Sequence, residues 1–466
     1  MHRLLKNLVL FGAASTAVLA ADDAARIQEL ERRLEELDQK YRILERRLEL
    51  EGETAAEQSK SAPVMSVGAQ GFTFRSADTN FVLKMRGLIQ ADSRFYIDDG
   101  GNNRNDTFLL RRIRPSIEGT LWGNTDFRIV PEFGGGSNND GNPSSSVSLV
   151  DAYVNFRYNS ALQLRAGKFK SPVGLEQLQS SSKLFFMERG LSTSLTPGRD
   201  VGLMLHGEVF DGVVDYALGV FNGGADNRNS ANLDMDDEKD VVARLFFHPF
   251  QKTDLEYLQG LGIGAAGSYG NHDGVAGVNS YSTEAGQTYF RYNPAGASVE
   301  ADGTAWRFTP QAYYYFRSFG LLGEYVISDQ EVRATPTFVG GLSGTESLRH
   351  EAWQIVGGYV LTGEDASYNG VNPKKPFSLT ENQWGAWEIV ARYSNLNIDD
   401  DAFPTFANPE TSATEATAYG FGLNWYANRN VRTSLNYIHT DFKGGDAGAV
   451  AGQGENAVLT RVQLNF

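Results

Sequence analysis

Residues 80–97 read NFVLKMRGLIQADSRFYI. Phe81, Leu83, Met85, Ile89, Phe95 and Ile97 fall on one parity, and Lys84, Arg86, Gln90, Asp92 and Arg94 on the other. Side chains of a strand point alternately to its two faces, so this is a strand with one apolar and one polar face. Segment 107–122 repeats the pattern, with Leu109, Ile113, Ile117 and Leu121 against Arg112, Arg114, Ser116, Glu118 and Thr120. Segment 384–395 sets Trp387, Ile389, Ala391 and Tyr393 against Glu388, Arg392 and Ser394.

Sixteen such segments lie between residue 80 and the C-terminus. Short connections (123–124, 159–160, 211–212, 428–430) alternate with long ones (135–146, 170–198, 222–238, 271–303, 333–347, 398–414, 444–454), although 250–258 and 364–383 are longer than a tight turn. Short turns on one rim and long loops on the other mark an outer-membrane β-barrel. A soluble sheet would need a partner for its apolar face and has no reason to alternate its loop lengths. Aromatic residues gather near segment ends, as at Phe95-Tyr96, Trp122, Trp384, Trp387 and Trp425-Tyr426, which suits an interfacial girdle. The last residues alternate and close on Phe466.

The 466 residues include 50 Gly, 20 Tyr, 28 Phe and no Cys. No disulfide, thiolate metal site or thiol nucleophile is therefore available. Beyond the N-terminus no apolar run is long enough for a membrane helix, so a spanning chain must close into a barrel. A net charge of −15 argues against nucleic acid as a partner.

Arg3 and Lys6, the apolar stretch 8–19 and the small residues Ala20 and Ala21 read as a secretory signal over residues 1–20. Ile27, Leu30, Leu34, Leu37, Tyr41, Leu44 and Leu48 are spaced alternately 3 and 4 apart, an a/d heptad seam. Residues 24–51 are thus expected to form a periplasmic coiled coil, 52–71 a linker, and 72–466 the barrel.

On the polar parity stand Lys84, Arg86, Arg94, Arg112, Arg114, Arg128, Arg157, Arg165, Arg244, Arg307, Arg317, Arg392, Arg432 and Arg461. The acids of that parity are fewer: Asp92, Glu118, Glu132, Asp151, Glu324 and Glu388. Other acids sit in loops, as at Asp98-Asp99, 234–240 and 399–401. A basic lumen favours anions. The same arginines could instead pair with lumenal acids to hold the wall.

Several stretches resemble the phosphate-selective porin O/P family of Gram-negative outer membranes. They are Phe108-Leu-Leu-Arg-Arg-Ile-Arg114 with Glu118-Gly-Thr, Asp151-Ala-Tyr-Val, Arg165-Ala-Gly-Lys-Phe-Lys-Ser-Pro-Val-Gly-Leu-Glu176, Phe186-Met-Glu-Arg189, Pro197-Gly-Arg-Asp-Val-Gly202 and Gly385-Ala-Trp-Glu-Ile-Val-Ala-Arg-Tyr393. The resemblance implies a sixteen-stranded barrel, a homotrimer of separate pores, and inward loops that narrow each pore. It also implies an arginine ladder and an anion site of Arg, Lys and Ser. Arg111 and Arg112 match its paired arginines, and Ser180, Ser181, Ser182 and Lys183 its serine-lysine stretch. Where the phosphate-specific members carry a lysine after the Leu-Glu pair, this chain has Gln177. Lys168, Lys170 or Lys183 could compensate, as could Lys374-Lys375 if the 364–383 turn folds inward.

The expected anion path comprises Arg86, Arg94, Arg111, Arg112, Arg114, Lys168, Lys170, Ser181, Ser182 and Lys183, with the 170–198 loop as constriction. His206, His248, His350 and His439 stand singly, outside any hydrolase motif, so an enzyme is not expected. Nor is a metal or organic cofactor. Expected partners are two further copies of the chain, membrane lipid and lipopolysaccharide, small anions, and peptidoglycan through the coiled coil. The alternative is a general diffusion porin of weak selectivity.

Overall fold

A computed structural model describes residues 2–97, 105–134, 147–233, 237–274, 277–445 and 454–466. The acidic runs at 98–99 and 234–236, and the loop 135–146, lie outside the described residues. The chain divides into a helical N-terminal unit and a barrel unit.

The helical unit is one helix, α1, His2–Ser61. It continues across the first half of the stretch expected to be a linker. Glu51, Glu53, Ala55, Ala56, Glu57 and Gln58 are good helix formers, and their small, polar character conceals this. Two short strands follow, Val64–Gly68 and Gly71–Arg75, the second pairing with the first barrel strand.

The barrel strands are β1 Val82–Ile97, β2 Thr107–Leu121, β3 Thr125–Glu132, β4 Ser148–Arg157, β5 Gln163–Lys170, β6 Arg199–Val209, β7 Val214–Phe221 and β8 Asp240–Phe247. They continue with β9 Leu261–Gly274, β10 Ala297–Phe316, β11 Phe319–Pro336, β12 Gly344–Val360, β13 Ala386–Asn397, β14 Glu415–Tyr426, β15 Val431–Lys443 and β16 Glu455–Asn465. Each pairs antiparallel with the next, and β16 returns to β1, from Asn456 opposite Ile97 to Asn465 opposite Leu88. Closure leaves no strand edge, the condition for crossing a bilayer in β form. At the seam Phe466 and Gly87 exchange backbone hydrogen bonds of 2.9 and 3.0 Å. A Cβ on Gly87 would lie 2.6 Å from the Phe466 ring, so only glycine lets the terminal aromatic pack there.

The polarity is inverted relative to a soluble protein. Ile89, Phe95, Ile355, Ile389, Phe421 and Leu435 are exposed on the outside, while Gln90, Arg94, Gln354, Glu388, Asn424 and Asn436 are buried inside. Lipid is the solvent for the first set. Phe421→Arg should therefore cost about 2–4 kcal/mol of folding free energy, the midplane penalty for a lipid-facing cation. A urea titration of folding into lipid vesicles measures it, and a loss under about 0.5 kcal/mol, the ordinary surface range, would mean that Phe421 does not face lipid.

One parity differs from expectation. A bulge in β2 places Gln90 opposite Arg112 and Ala91 opposite Leu110, so Arg111 has no partner of its own. Phe108 and Leu110 therefore point outward, and Leu109, opposite Asp92, shares the lumenal face. An extra residue in one strand shifts every side chain beyond it to the other face. Arg317 also leaves the wall: it sits at the turn between β10 and β11 with a positive φ of 51°.

Candidate functional site

The 171–198 loop carries several large apolar residues. Leu175, Leu184, Phe185, Phe186, Met187, Leu191 and Leu195 cannot reach the lipid belt, and all are buried within the barrel. Burying a loop backbone requires partners for its N–H and C=O groups. The wall supplies them. Gln90 of β1 donates to Ser181 O (3.1 Å), Gln463 of β16 to Ser182 O (3.1 Å), Arg432 of β15 to Leu184 O (2.8 Å), and Asn424 of β14 to Phe185 O (2.8 Å). Met187 N donates to Asn436 Oδ1 (2.9 Å), Arg392 of β13 to Glu188 O (2.9 Å), and Leu175 N to Glu324 of β11 (2.7 Å). The loop thus bonds β1 and β10–β16 from within.

Glu188, at the middle of the loop, is the hub. Arg111 Nε lies 2.9 Å from its carboxylate, Arg112 Nη2 3.1 Å, Arg461 Nη2 2.7 Å and Arg94 Nη2 3.9 Å. Arg461 also holds Asp92 by two hydrogen bonds of 2.7 Å, and Arg112 donates to Gln90 Oε1 at 2.7 Å. The bulge is what allows both adjacent arginines to reach the same carboxylate. Burial pushes the Glu188 carboxyl up, but Arg111, Arg112, Arg461 and Arg94 outweigh it and hold the group well below the usual carboxylate range.

A second group of cations faces the loop from β2 and β5. Arg114 pairs with Glu132 (2.5 Å) and donates to Ser181 Oγ (3.3 Å). Lys170 Nζ donates to the carbonyls of Leu178 (3.0 Å) and Gln179 (2.8 Å). Arg189 donates to Glu176 O (3.1 Å) and Gln179 O (2.8 Å). Lys170 and Arg189 are held by neutral carbonyls, with Asp151 acting on Lys170 and Glu176 and Glu188 on Arg189 from further off.

The ten expected path residues therefore separate. Arg94, Arg111 and Arg112 meet at Glu188; Arg114 bonds Ser181, and Lys170 bonds carbonyls of the same loop. Arg86 pairs with Glu118 (3.0 Å), and Lys168 Nζ donates to Ser230 O (2.6 Å) and Asn232 Oδ1 (2.9 Å). Ser182 Oγ shares a hydrogen bond with Ser180 Oγ (3.0 Å). Lys183 is half-buried; burial, with Arg432 and Arg429 nearby, draws its pKa down. The long turn after β12 does fold inward, Tyr368 OH donating to Leu175 O at 2.6 Å and Gln179 Nε2 to Tyr368 O at 2.7 Å. Its Lys374 and Lys375 nevertheless stay exposed.

The described part of the next long connection, 277–296, also enters the barrel. Ala285 O accepts from Arg94 Nη1 and Tyr96 OH, both at 2.8 Å. Glu284 lies 3.3 Å from Arg392, and burial pushes its carboxyl up to about 7 against the pull of that arginine.

A family model, phosphate-selective porin O and P, matches residues 83–466. The chain belongs to that family. Porin O of Pseudomonas aeruginosa is 24% identical over 427 residues, covering 85% of this chain and 91% of that porin. Among solved structures, the outer-membrane channel DcaP of Acinetobacter baumannii superposes with a TM-score of 0.53 at 11% identity, over 84% of this chain and 99% of DcaP. An anion-selective porin from Comamonas acidovorans gives 0.48 at 11% identity, over 83% and 100% of the two chains. This member of the porin O and P family is thus a Gram-negative outer-membrane channel and not an enzyme. Of the histidines singled out in the sequence, His206 bonds Asn155, His248 just past β8 bonds Tyr313, and His350 bonds Tyr292, each at 2.7 Å, while His439 bonds Asn456 (2.9 Å) and Asp441 (3.0 Å).

Proposed function

We propose that this porin passes small hydrophilic anions, phosphate among them, along the basic β2–β6 side of its lumen. One observation carries the reading: Glu176 of the inward loop and the wall acids Glu324 and Glu388 are deeply buried, whereas Arg114, Arg128, Arg165, Lys170 and Arg199 keep partial exposure. An anion entering there meets fixed guanidinium and ammonium groups at the narrowest point. The family's phosphate-selective description supports phosphate as one cargo. The porin works as a homotrimer in contact with lipid and lipopolysaccharide. Residues 1–20 serve export and 24–51 form a periplasmic coiled coil.

A second reading, weak selectivity, is favoured by the pairing of wall arginines with wall acids: Arg157 with Asp126 (2.7 Å), Arg199 with Asp151 (2.8 Å), and Arg86 with Glu118. The purified porin in planar bilayers under a KCl gradient separates the two. An anion-selective reversal potential, with chloride current blocked by added phosphate, is the expected result. A potential near zero or of cationic sign, with no block, would leave the general porin.

A further inference from the structure

A hairpin in the 277–296 connection crosses the barrel. Tyr281–Ser282 pairs with Thr288–Phe290, and Gly286 N donates to Thr283 O at 3.0 Å to close the turn. The connection leaves from β9 and returns to β10, which stand half-way round the ring from β1. Its Ala285 O nevertheless accepts from Arg94 and Tyr96, both on β1. The stem rests on the connection after β13, where Ala413 N donates to Tyr289 O at 2.8 Å. A segment joined to one side of a barrel and bonded to the other spans its bore.

Glu284 is the one ionisable side chain from Thr283 to Gln287. It is buried at the tip, and most of its charged neighbours are acids. Arg392 of β13 lies 3.3 Å from its Oε1, but also lies 3.9 Å from Glu176 and donates to Glu188 O. Glu176 and Glu188 of the 171–198 loop and Glu455 of β16 act on the same carboxyl. Arg94 of β1 is turned toward Glu188. Along the stem, Tyr281 OH donates to Asp226 and Tyr292 OH shares a hydrogen bond with His350. The Oε2 of Glu284 is buried with no hydrogen-bond partner among the described residues. One guanidinium thus faces two carboxylates. Burying an under-partnered charge costs far more than burying a neutral acid.

We propose that this hairpin is a proton-operated strap, seated across the pore while Glu284 is neutral and lifted when Glu284 is charged. The linkage has a definite window. Burial pushes the seated carboxyl up to about 7, with Arg392 opposing and Glu176, Glu455 and Glu188 adding to the rise. Freed into water, a glutamate titrates at about 4.3. Lifting therefore gives off a proton between these limits. Seating is strongest below about pH 4.3 and weakens about tenfold per unit up to about pH 7. Above that both forms are charged and the dependence ends.

Single-channel records of the full-length porin in KCl test this, since a lifted strap gives a state of larger current. Occupancy of that state should rise about hundredfold from pH 5 to pH 7 and stay level to about pH 8.5. Glu284→Gln keeps the shape of the neutral acid and should hold the occupancy at its acid value throughout. A single current level at every pH in the parent would overturn the strap. A rise that persists in Glu284→Gln would pass the role to another group and overturn the assignment to Glu284. A second readout does not depend on current. The chain has no cysteine, so Ala285→Cys, at a buried position of the tip, gives a unique thiol. Its rate of labelling by a water-soluble maleimide is divided by the rate in the same chain carrying Glu284→Gln, so that ionisation of the thiol cancels. That quotient should rise by the same factor over the same window, and a constant quotient would overturn the proposal. The strap rests on the channel reading of the chain, and the two fail differently: absence of any ion current would defeat the channel, whereas a constant labelling quotient defeats the strap.

Discussion

Glu188→Ala should destabilise the barrel by about 3–5 kcal/mol, the cost of removing one partner from a buried ion pair. The loss is large because four guanidinium groups converge on this one carboxylate, and among the described residues only Arg461 has a second carboxylate, Asp92, paired with it. Truncation leaves Arg94, Arg111 and Arg112 close together without a counter-charge. The loop carrying Glu188 should then leave the wall, and single-channel current should become larger and noisier. Glu188→Gln keeps the shape and should lose nearly as much, which separates charge from packing. The sign with pH follows from the depressed carboxyl. Its contribution is fully present above the unfolded value of about 4.3 and disappears as pH falls through the lower folded value. The unaltered porin should therefore lose stability on acidification below about pH 4, and the alanine variant should lack that part of the profile. Urea titration at several pH values reads both effects. Equal stability of the variant and the parent at pH 7 would remove Glu188 from its place as hub.

The second large effect is on selectivity. Arg114→Ala combined with Lys170→Ala should move the reversal potential in a KCl gradient toward zero. A fixed charge about 8 Å from a passing ion contributes about 2 kcal/mol at an effective dielectric of 20, roughly halved by screening at 0.1 M salt. Removing two such charges should lower the chloride-to-potassium permeability ratio at least tenfold at that salt, and much less near 1 M. Loss of Arg114 also leaves Glu132 without its ion-pair partner, which adds to the shift. Lys374→Ala, in the exposed part of the turn after β12, should change little. An unchanged potential in the double variant would take the anion path away from β2 and β5. Arg112 belongs to a different experiment: it anchors the loop, so its alanine variant should register mainly as lost stability.

The strands were legible because the lipid and the lumen demand opposite chemistry at adjacent positions. The β2 bulge was not. Phe108, Leu109 and Leu110 are all apolar, so a change of parity among them leaves no trace; the only hint is the adjacency of Arg111 and Arg112, which a regular strand would send to opposite faces. The count of lumenal acids was incomplete for a related reason. A census by strand parity counts only acids on strands, whereas Glu176, Glu188, Glu284 and Asp226 lie in connections that fold back inside. Glu188 stood within a family motif, Phe186-Met-Glu-Arg189, but nothing local distinguishes a loop glutamate in water from one that four arginines neutralise. The narrowing loop itself could be read, since seven large apolar residues in a connection have nowhere else to go.

Glu188 draws on residues from the opening and the final strands alike: Arg94 from β1, Arg111 and Arg112 from β2, Arg461 from β16. Gln90 and Gln463, which hold the carbonyls of Ser181 and Ser182, come from the same two sides of the seam and bond each other at 2.7 Å. The seating of the loop is therefore a product of ring closure. A chain still missing its last strand has neither Arg461 nor Gln463 to receive the loop. Completion of the cylinder and docking of its inner loop are one event, so a half-built barrel cannot hold that loop as the finished one does.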